Sequence, residues 1–326
     1  EKVYDRILSK GAELHGGKRK LFYWALALAK QYDPWVDHSM WYRIRLGIAS
    51  ALVFSKWRAA IGGCIRFIIS GSAPLHPDLA RVFIAAGLPI VQGYGLTETS
   101  PVVTVNRRDR NKLGSTGPPI DNVEVKIADD GEILVKGPNV MQGFYNAPEK
   151  TAEVFEDGWF KTGDVGYIDG DGFLFITDRK KDLIKKSSGK FIAPGPIESD
   201  LRTSRYIEHA AVIGERRKFA IAILFPKFDN LKAWAKEHKL AYSSSAELVA
   251  KAEVQQLYEE EVGRVNLGLN KWERIIKFIL SDHELTIADG QLTPTMKLKR
   301  RIIEKEFLPQ IEALYQKYEM IEVHDN

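Results

Sequence analysis

Two short glycine-rich segments gather the residue types that handle a phosphate and a flat base. Ser70-Gly71-Ser72-Ala73-Pro74-Leu75 follows the apolar run Cys64–Ile69. Gln92-Gly93-Tyr94-Gly95-Leu96-Thr97-Glu98-Thr99 follows a second apolar run at Pro89–Val91. Glycine lets a backbone come close to a ligand, and Tyr94 offers an aromatic face. Thr97 and Glu98 add the hydroxyl and carboxylate that a phosphate and a hard divalent cation require. Either segment alone also reads as an ordinary turn. Taken singly, Asp164 reads as a turn cap, Arg179 as a surface ion pair and Lys297 as one more charge on a solvated helix.

The elements that must position these residues follow from periodicity. Residues 1–60 are predicted helical, with apolar spacings of three and four over Lys20–Lys30 and Trp41–Lys56 and a break at Asp33-Pro34. From Gly63 the texture becomes strand, loop, helix, strand: a buried strand Cys64–Ile69, a loop Gly71–Pro77, an amphipathic helix His76–Ala86 and a strand Pro89–Val91. That order predicts a βαβ unit and a parallel sheet, whose ligands bind at the carboxyl ends of the strands. Residues 113–177 are β-rich, with hairpins around Asp129-Asp130-Gly131 and around Asp169-Gly170-Asp171-Gly172. The second turn superficially matches a calcium loop but lacks its later ligands, so a hairpin turn is the expectation. The polar, basic stretch Arg179–Lys190 is the predicted domain boundary. Strands Ala210–Gly214 and Phe219–Phe225 come next, then helices Asn230–His238, Ser245–Gly263 and Val265–Ile275. A loop Asp289–Pro294 leads to a basic helical stretch from Lys297.

Composition narrows the class. With 326 residues, 44% of them apolar, the chain can fill about two domains. The net charge of +4 is too small to indicate a nucleic-acid binder, and the basic runs Arg179–Lys190 and Lys297–Arg301 lack interleaved aromatics. Cys64 is the only cysteine, which excludes an internal disulfide and a cysteine-rich zinc site. Its apolar surroundings predict a core position, and a reducing cytoplasm is the expected setting. No run approaches the 18 or so apolar residues of a membrane span.

Taken in order, the motifs resemble those of the adenylate-forming ligases. Gly93-Tyr94-Gly95-Leu96-Thr97-Glu98 is similar to the adenine-and-magnesium signature, Gly158-Trp159-Phe160-Lys161-Thr162-Gly163-Asp164 to the ribose motif, and Asp178-Arg179-Lys180-Lys181-Asp182 to the hinge motif. Leu292–Arg300 resembles the C-terminal lysine motif of the long-chain acyl-CoA synthetases, and residues 1–30 resemble that branch too. The resemblance implies an α/β remnant of the large AMP-binding domain over 1–180, with a parallel sheet, helices and a β-rich subdomain. A smaller, mobile α+β lid would follow over 181–326, hinged near Lys181. It further implies that Tyr94 stacks on adenine beside the backbone of Gly71, Ser72 and Ala73, flanked by Gly93 and Gly95. Thr97 would meet the α-phosphate, Glu98 would hold Mg²⁺, and Asp164 and Arg179 would bind the ribose. Lys297 would neutralise charge during adenylation. Rotation about Lys181 would then withdraw it and present the Ser187–Lys190 loop, with Gly189, to the CoA thiol.

The substrates so implied are a fatty acid, ATP and CoA, with no nucleic acid, in the cytoplasm or peripherally at a membrane surface. One family feature is missing from these residues: a Ser/Thr/Gly-rich loop ending in lysine, which wraps the outer phosphates. Ser70–Ala73 lacks the basic residue and Gly16-Gly17-Lys18 lacks the hydroxyls. The chain also starts without Met. The expectation is therefore the C-terminal half of such a ligase, incompetent alone and prone to self-association through an uncovered sheet edge. A module that binds nucleotide or a partner without turnover is the reading from another class.

Overall fold

The computed structural model describes residues 2–71, 75–294 and 296–324; Ser72 and Ala73, two expected nucleotide contacts, lie outside the described residues. The chain divides into two compact units, Glu1–Lys180 and Lys181–Asn326.

The first unit opens with α1 (Lys2–Ala12), α2 (Gly16–Ala29), α3 (Met40–Ala49), a π-helical turn and α4 (Ser55–Ala60). These pack Phe22, Leu28, Phe54 and Trp57 into one apolar cluster. The predicted βαβ unit follows as β1 (Ile68–Ser70), α5 (Pro77–Ala85) and β2 (Ile90–Gly95), with the strands parallel and Ile68 opposite Ile90. His76 caps α5 by accepting the Asp78 N–H, and Pro77 occupies the first turn, where its missing N–H costs nothing.

Two expectations here are corrected. The run Cys64–Ile69 is not a buried strand. Only its end is strand, Cys64 is exposed rather than core, and Phe67 and Ile69 are 49% and 69% exposed. β1 lies at the edge of the sheet β1-β2-β3, where β3 is Val102–Val105. Only the Ile68 side packs, against Leu79, Phe83 and Leu88. The second correction is that Gln92–Gly95 is not loop. It continues β2 and pairs antiparallel with β3, Tyr94 opposite Thr104.

The β-rich block comprises β4 (Glu124–Ile127), β5 (Glu132–Lys136), α6 (Pro148–Val154), β6 (Phe155–Glu156), β7 (Trp159–Ile168) and β8 (Leu174–Arg179). Its sheet runs β4-β5-β7-β6, with β8 also on β7. Both predicted hairpins form. At the calcium-like turn an ammonium takes the place a cation would have. Lys112 Nζ donates to Asp169 Oδ2 at 2.5 Å and Asp171 Oδ2 at 2.7 Å, and it also faces the rings of Trp35 and Phe173.

The second unit begins with β9 (Ile184–Lys185), β10 (Phe191–Ile192) and α7 (Pro194–Leu201). Then come β11 (Ile207–Ile213), β12 (Ala220–Pro226), α8 (Phe228–Glu237), α9 (Ser245–Ala250), α10 (Ala252–Asn266), β13 (Ile275–Leu280), α11 (Arg300–Glu306) and α12 (Leu308–His324). β12 is the central strand, antiparallel to β11 and parallel to β13, and every one of its residues is buried. Its alternation sends Ala222 and Leu224 to a core with Leu231, Leu248 and Tyr258. Ile221, Ile223 and Phe225 face Ile303, Phe307 and Tyr315 on the other side. A strand covered on both faces reads as a continuous apolar run for this reason.

The helical expectations after Ser245 need revision. The helix expected over Ser245–Gly263 breaks at Lys251, whose ψ is 137°, and the helix expected over Val265–Ile275 does not form. The Asn266 side chain instead engages both backbone groups of Ile275, at 2.8 and 2.9 Å. That closes α10 and starts β13. No helix among the described residues is long and apolar enough to cross a membrane.

Candidate active site

β2, β7 and β8 bring three of the expected nucleotide residues together. Tyr94 leans its ring on the core of the β-rich block and donates its hydroxyl to Asp164 Oδ2 at 2.6 Å. Asp164 on β7 faces Arg179 on β8 in register, and Arg179 Nε lies 3.5 Å from Asp164 Oδ1. Asp164 is 6% exposed, while the Arg179 side chain is half-exposed. Burial first, and then the Asp164 carboxylate, push the Tyr94 hydroxyl well above the ordinary phenol range. Tyr94 therefore stays a donor at any physiological pH, and the carboxylate is held by a neutral donor and a cation together.

The turn after β2 is shaped by its backbone. Gly95 must be glycine, because a Cβ there would stand 1.8 Å from the Pro101 carbonyl oxygen. Thr97–Thr99 forms a 3₁₀ turn. Thr99 Oγ1 ties it by donating to Pro101 O and accepting from Leu96 N. Asn139 Nδ2 donates to the carbonyls of Thr99 and Val102, and Met141 N–H donates to Glu98 O. Thr97 is thereby left exposed and Glu98 half-buried. A Cβ on Gly71 would stand 3.7 Å from the Gly93 carbonyl oxygen, an ordinary van der Waals distance. Among the described residues no group of three His, Cys, Asp or Glu side chains could hold a metal ion. A lone carboxylate such as Glu98 is the kind of protein ligand that a Mg²⁺ ion arriving on substrate phosphates needs, since that ion keeps several of its waters.

Sequence reasoning missed a supporting layer. Thr162 Oγ1 accepts the Asp164 N–H at 3.1 Å and donates to Ile133 O at 2.7 Å. Glu132, 6% exposed, accepts from Gly163 N–H and from Lys180 Nζ. Hairpin alternation hides Glu132, since the first residue after a turn normally faces water. β5 instead buries four consecutive residues, because it sits between β4 and β7 with a bulge beside Glu132.

The remaining candidates belong to the second unit or to its first residue. Lys181 is exposed in the short 3₁₀ turn Lys180–Asp182. Gly189, at φ +79°, closes the exposed turn between β9 and β10, where Lys186 N–H donates to Lys190 O. Lys297 is exposed on a loop ahead of α11, and its N–H donates to Thr293 Oγ1 at 2.9 Å.

Comparison with known proteins accounts for both units. Residues 19–145 match the AMP-binding enzyme family, and residues 181–319 match the AMP-binding enzyme C-terminal domain. The long-chain-fatty-acid–CoA ligase FadD15 of Mycobacterium bovis is 37% identical over 321 residues, covering 97% of this chain and 53% of that protein. The adenylation domain of a carboxylate reductase from Mycobacterium chelonae shares the fold at TM-score 0.66 and 23% identity, over 91% of this chain and 45% of its own. O-succinylbenzoate coenzyme A synthetase (MenE) from Bacillus subtilis, in complex with ATP and magnesium ion, gives TM-score 0.56 at 28% identity, over 76% of this chain and 49% of its own. The chain thus spans about half the length of the curated relatives it matches. With its two domain models in order and its motifs on the strands that carry them, the chain belongs to the AMP-binding family of adenylate-forming enzymes.

Proposed function

We propose that this chain is the nucleotide-side part of a ligase that activates long-chain fatty acids with ATP, through an acyl-adenylate, to acyl-CoA. The observation that carries the reading is the Tyr94–Asp164–Arg179 constellation, in which a buried carboxylate is aligned by a phenol at 2.6 Å and a guanidinium at 3.5 Å. A carboxylate and an arginine on adjacent strands match the paired hydroxyls of a ribose, and the Tyr94 ring beside glycine backbone suits an adenine. The long-chain substrate rests on relatives named for it.

In the proposed reaction the fatty carboxylate attacks the α-phosphorus of ATP. The bond to the β-phosphate oxygen breaks, releasing pyrophosphate and leaving acyl-AMP. Two anions must approach, so positive charge has to be placed where negative charge develops. Glu98 would hold the Mg²⁺ that neutralises the phosphates, Thr97 would bond the α-phosphate, and Lys297 would supply a further cation. In the second step the CoA thiol attacks the acyl carbon, loses its proton and displaces AMP. Lys181 is the proposed hinge between the two steps, and the turn holding Gly189 the proposed partner of the second. These 326 residues, without the hydroxyl-rich lysine loop, are proposed to bind nucleotide without completing turnover. A cytoplasmic setting with peripheral contact to a membrane suits an amphiphilic substrate.

Calorimetry tests this directly. AMP should bind the chain more tightly than ATP does, and Tyr94→Ala or Asp164→Ala should each weaken AMP at least about tenfold. Absence of AMP binding, or binding indifferent to both variants, overturns the reading.

A further inference from the structure

Glu132 reaches the ribose-side pair from both of its flanks. Its Oε1 accepts the Gly163 N–H at 2.9 Å, one residue before Asp164. Its Oε2 accepts from Lys180 Nζ at 2.7 Å, one residue after Arg179. The same ammonium also meets Asp130 Oδ2 at 2.6 Å, on the turn leading into β5. Gly163 sits at φ +71°, a left-handed conformation that only glycine adopts without strain, and this turns its N–H to Glu132. Bulges interrupt the pairing of β5 with β7 beside Glu132 and of β7 with β8 between Val165 and Gly166. Bulges of this kind re-aim side chains next to functional sites. A carboxylate as buried as Glu132 is tolerated only when it is fully partnered, and here its partners are the neighbours of the two residues proposed to hold the nucleotide.

We propose that Glu132, Asp130 and Lys180 form a clamp that positions Asp164 and Arg179 for the ribose and fixes the last residue of the first unit to that site. The clamp rests on the nucleotide reading above and goes beyond it. The backbone on either side of the ribose pair is held by one carboxylate, so the hinge motif leaves the first unit from a point locked to the ribose pocket. Lys180 is then the last anchored residue and Lys181 the first unanchored one. The electrostatics agree with the geometry. The hydrogen bond from Lys180 holds the Asp130 carboxyl below its ordinary range, and the bonds to Asp130 and Glu132 hold Lys180 above its own.

A positioning role predicts loss of ribose recognition rather than loss of fold. The measurement is the ratio of affinities for AMP and 2′,3′-dideoxy-AMP, taken by calorimetry on the full chain. Lys180→Met and Glu132→Gln should each lower that ratio about tenfold, the size expected for one charge-assisted hydrogen bond, and leave the dideoxy affinity within about twofold. Lys180→Arg should keep the ratio, since it can still bridge both carboxylates. Exchange of the Gly163 amide, followed by NMR without nucleotide, should quicken in Lys180→Met. If Glu132→Gln does not fold, Lys180→Met decides, because that side chain is 45% exposed and tolerates change. A wild-type chain that discriminates ribose while both variants keep the ratio, with Gly163 exchange unchanged, overturns the clamp and spares the nucleotide reading. A wild-type chain that ignores the ribose hydroxyls overturns both.

Discussion

The two units hold their candidate residues in opposite ways. In the first, Asp164 and Arg179 stand on paired strands 3.5 Å apart, Tyr94 reaches Asp164 from a neighbouring sheet through a 2.6 Å hydrogen bond, and Thr162 and Glu132 brace the group. In the second, Gly189 and Lys297 occupy exposed turns, and Lys181 opens the unit on another. Residues that grip one ligand throughout a reaction gain from rigid placement, whereas residues needed in a single step gain from being movable. The cores differ in the reverse sense. The central strand β12 is buried along its whole length between two apolar layers, while β1 leaves Ile69 largely exposed at a sheet edge.

The largest effect should come from that contrast in cores. Leu224→Ala, at a fully buried site, should cost the second unit about 3 kcal/mol. Ile69→Ala on β1 should cost the first unit no more than about 0.5 kcal/mol. Hydrogen exchange read separately for each unit measures both. Equal costs would erase the contrast.

The next effect sharpens the difference between the sites. Tyr94→Phe leaves Asp164 Oδ2 without its phenol donor and should destabilise the first unit by about 1–2 kcal/mol. Lys297→Ala, on an exposed loop, should change the second by no more than about 0.5 kcal/mol. A Tyr94→Phe variant as stable as the parent would show that the phenol is ornamental to the pocket.

The smallest effect lies beside the Lys297 loop. His283 is flanked by Asp282 at 3.0 Å and Glu306 at 2.9 Å, and Glu306 in turn accepts from Gln291. Burial alone would lower the His283 pKa, but the bonds to the two carboxylates outweigh it and raise the value above the ordinary 6.5. A raised folded pKa stabilises fully below about 6.5 and fades as pH climbs through the folded value. Protection around Gln291 should therefore weaken from pH 6 to 8 in the parent and stay flat in His283→Gln. A parent that shows no slope would remove His283 from the support of this loop.

The limits of legibility fall where long-range pairing decides. The βαβ unit and the two hairpins could be read because their periods and turn residues are local. β12 could be read because a doubly covered strand is a plain apolar run. β13 could not. Val265, Leu267, Leu269, Trp272, Ile275 and Ile276 space themselves much as a helix would, yet α10 ends at Asn266, a turn follows, and only Ile275 and Ile276 join β13 alongside β12. Cys64–Ile69 misled for the converse reason, since apolarity does not say whether a second layer covers it. In the site, the residue types were visible at each motif. The approach of Tyr94 to Asp164 across 70 positions was not, and Glu132 was disguised by a bulge that no alternation rule anticipates.

The Lys112 ammonium, seated between Asp169 and Asp171 and facing the rings of Trp35 and Phe173, has a consequence for the conditions under which the β7–β8 hairpin keeps its shape. A diffusible ion at such a turn would obey mass action, and the turn would soften whenever its concentration fell. A covalently tethered cation has no dissociation constant to satisfy. The turn joining the strands that carry Asp164 and Arg179 should therefore keep its shape in chelator and in calcium alike, because its cation comes from the chain itself.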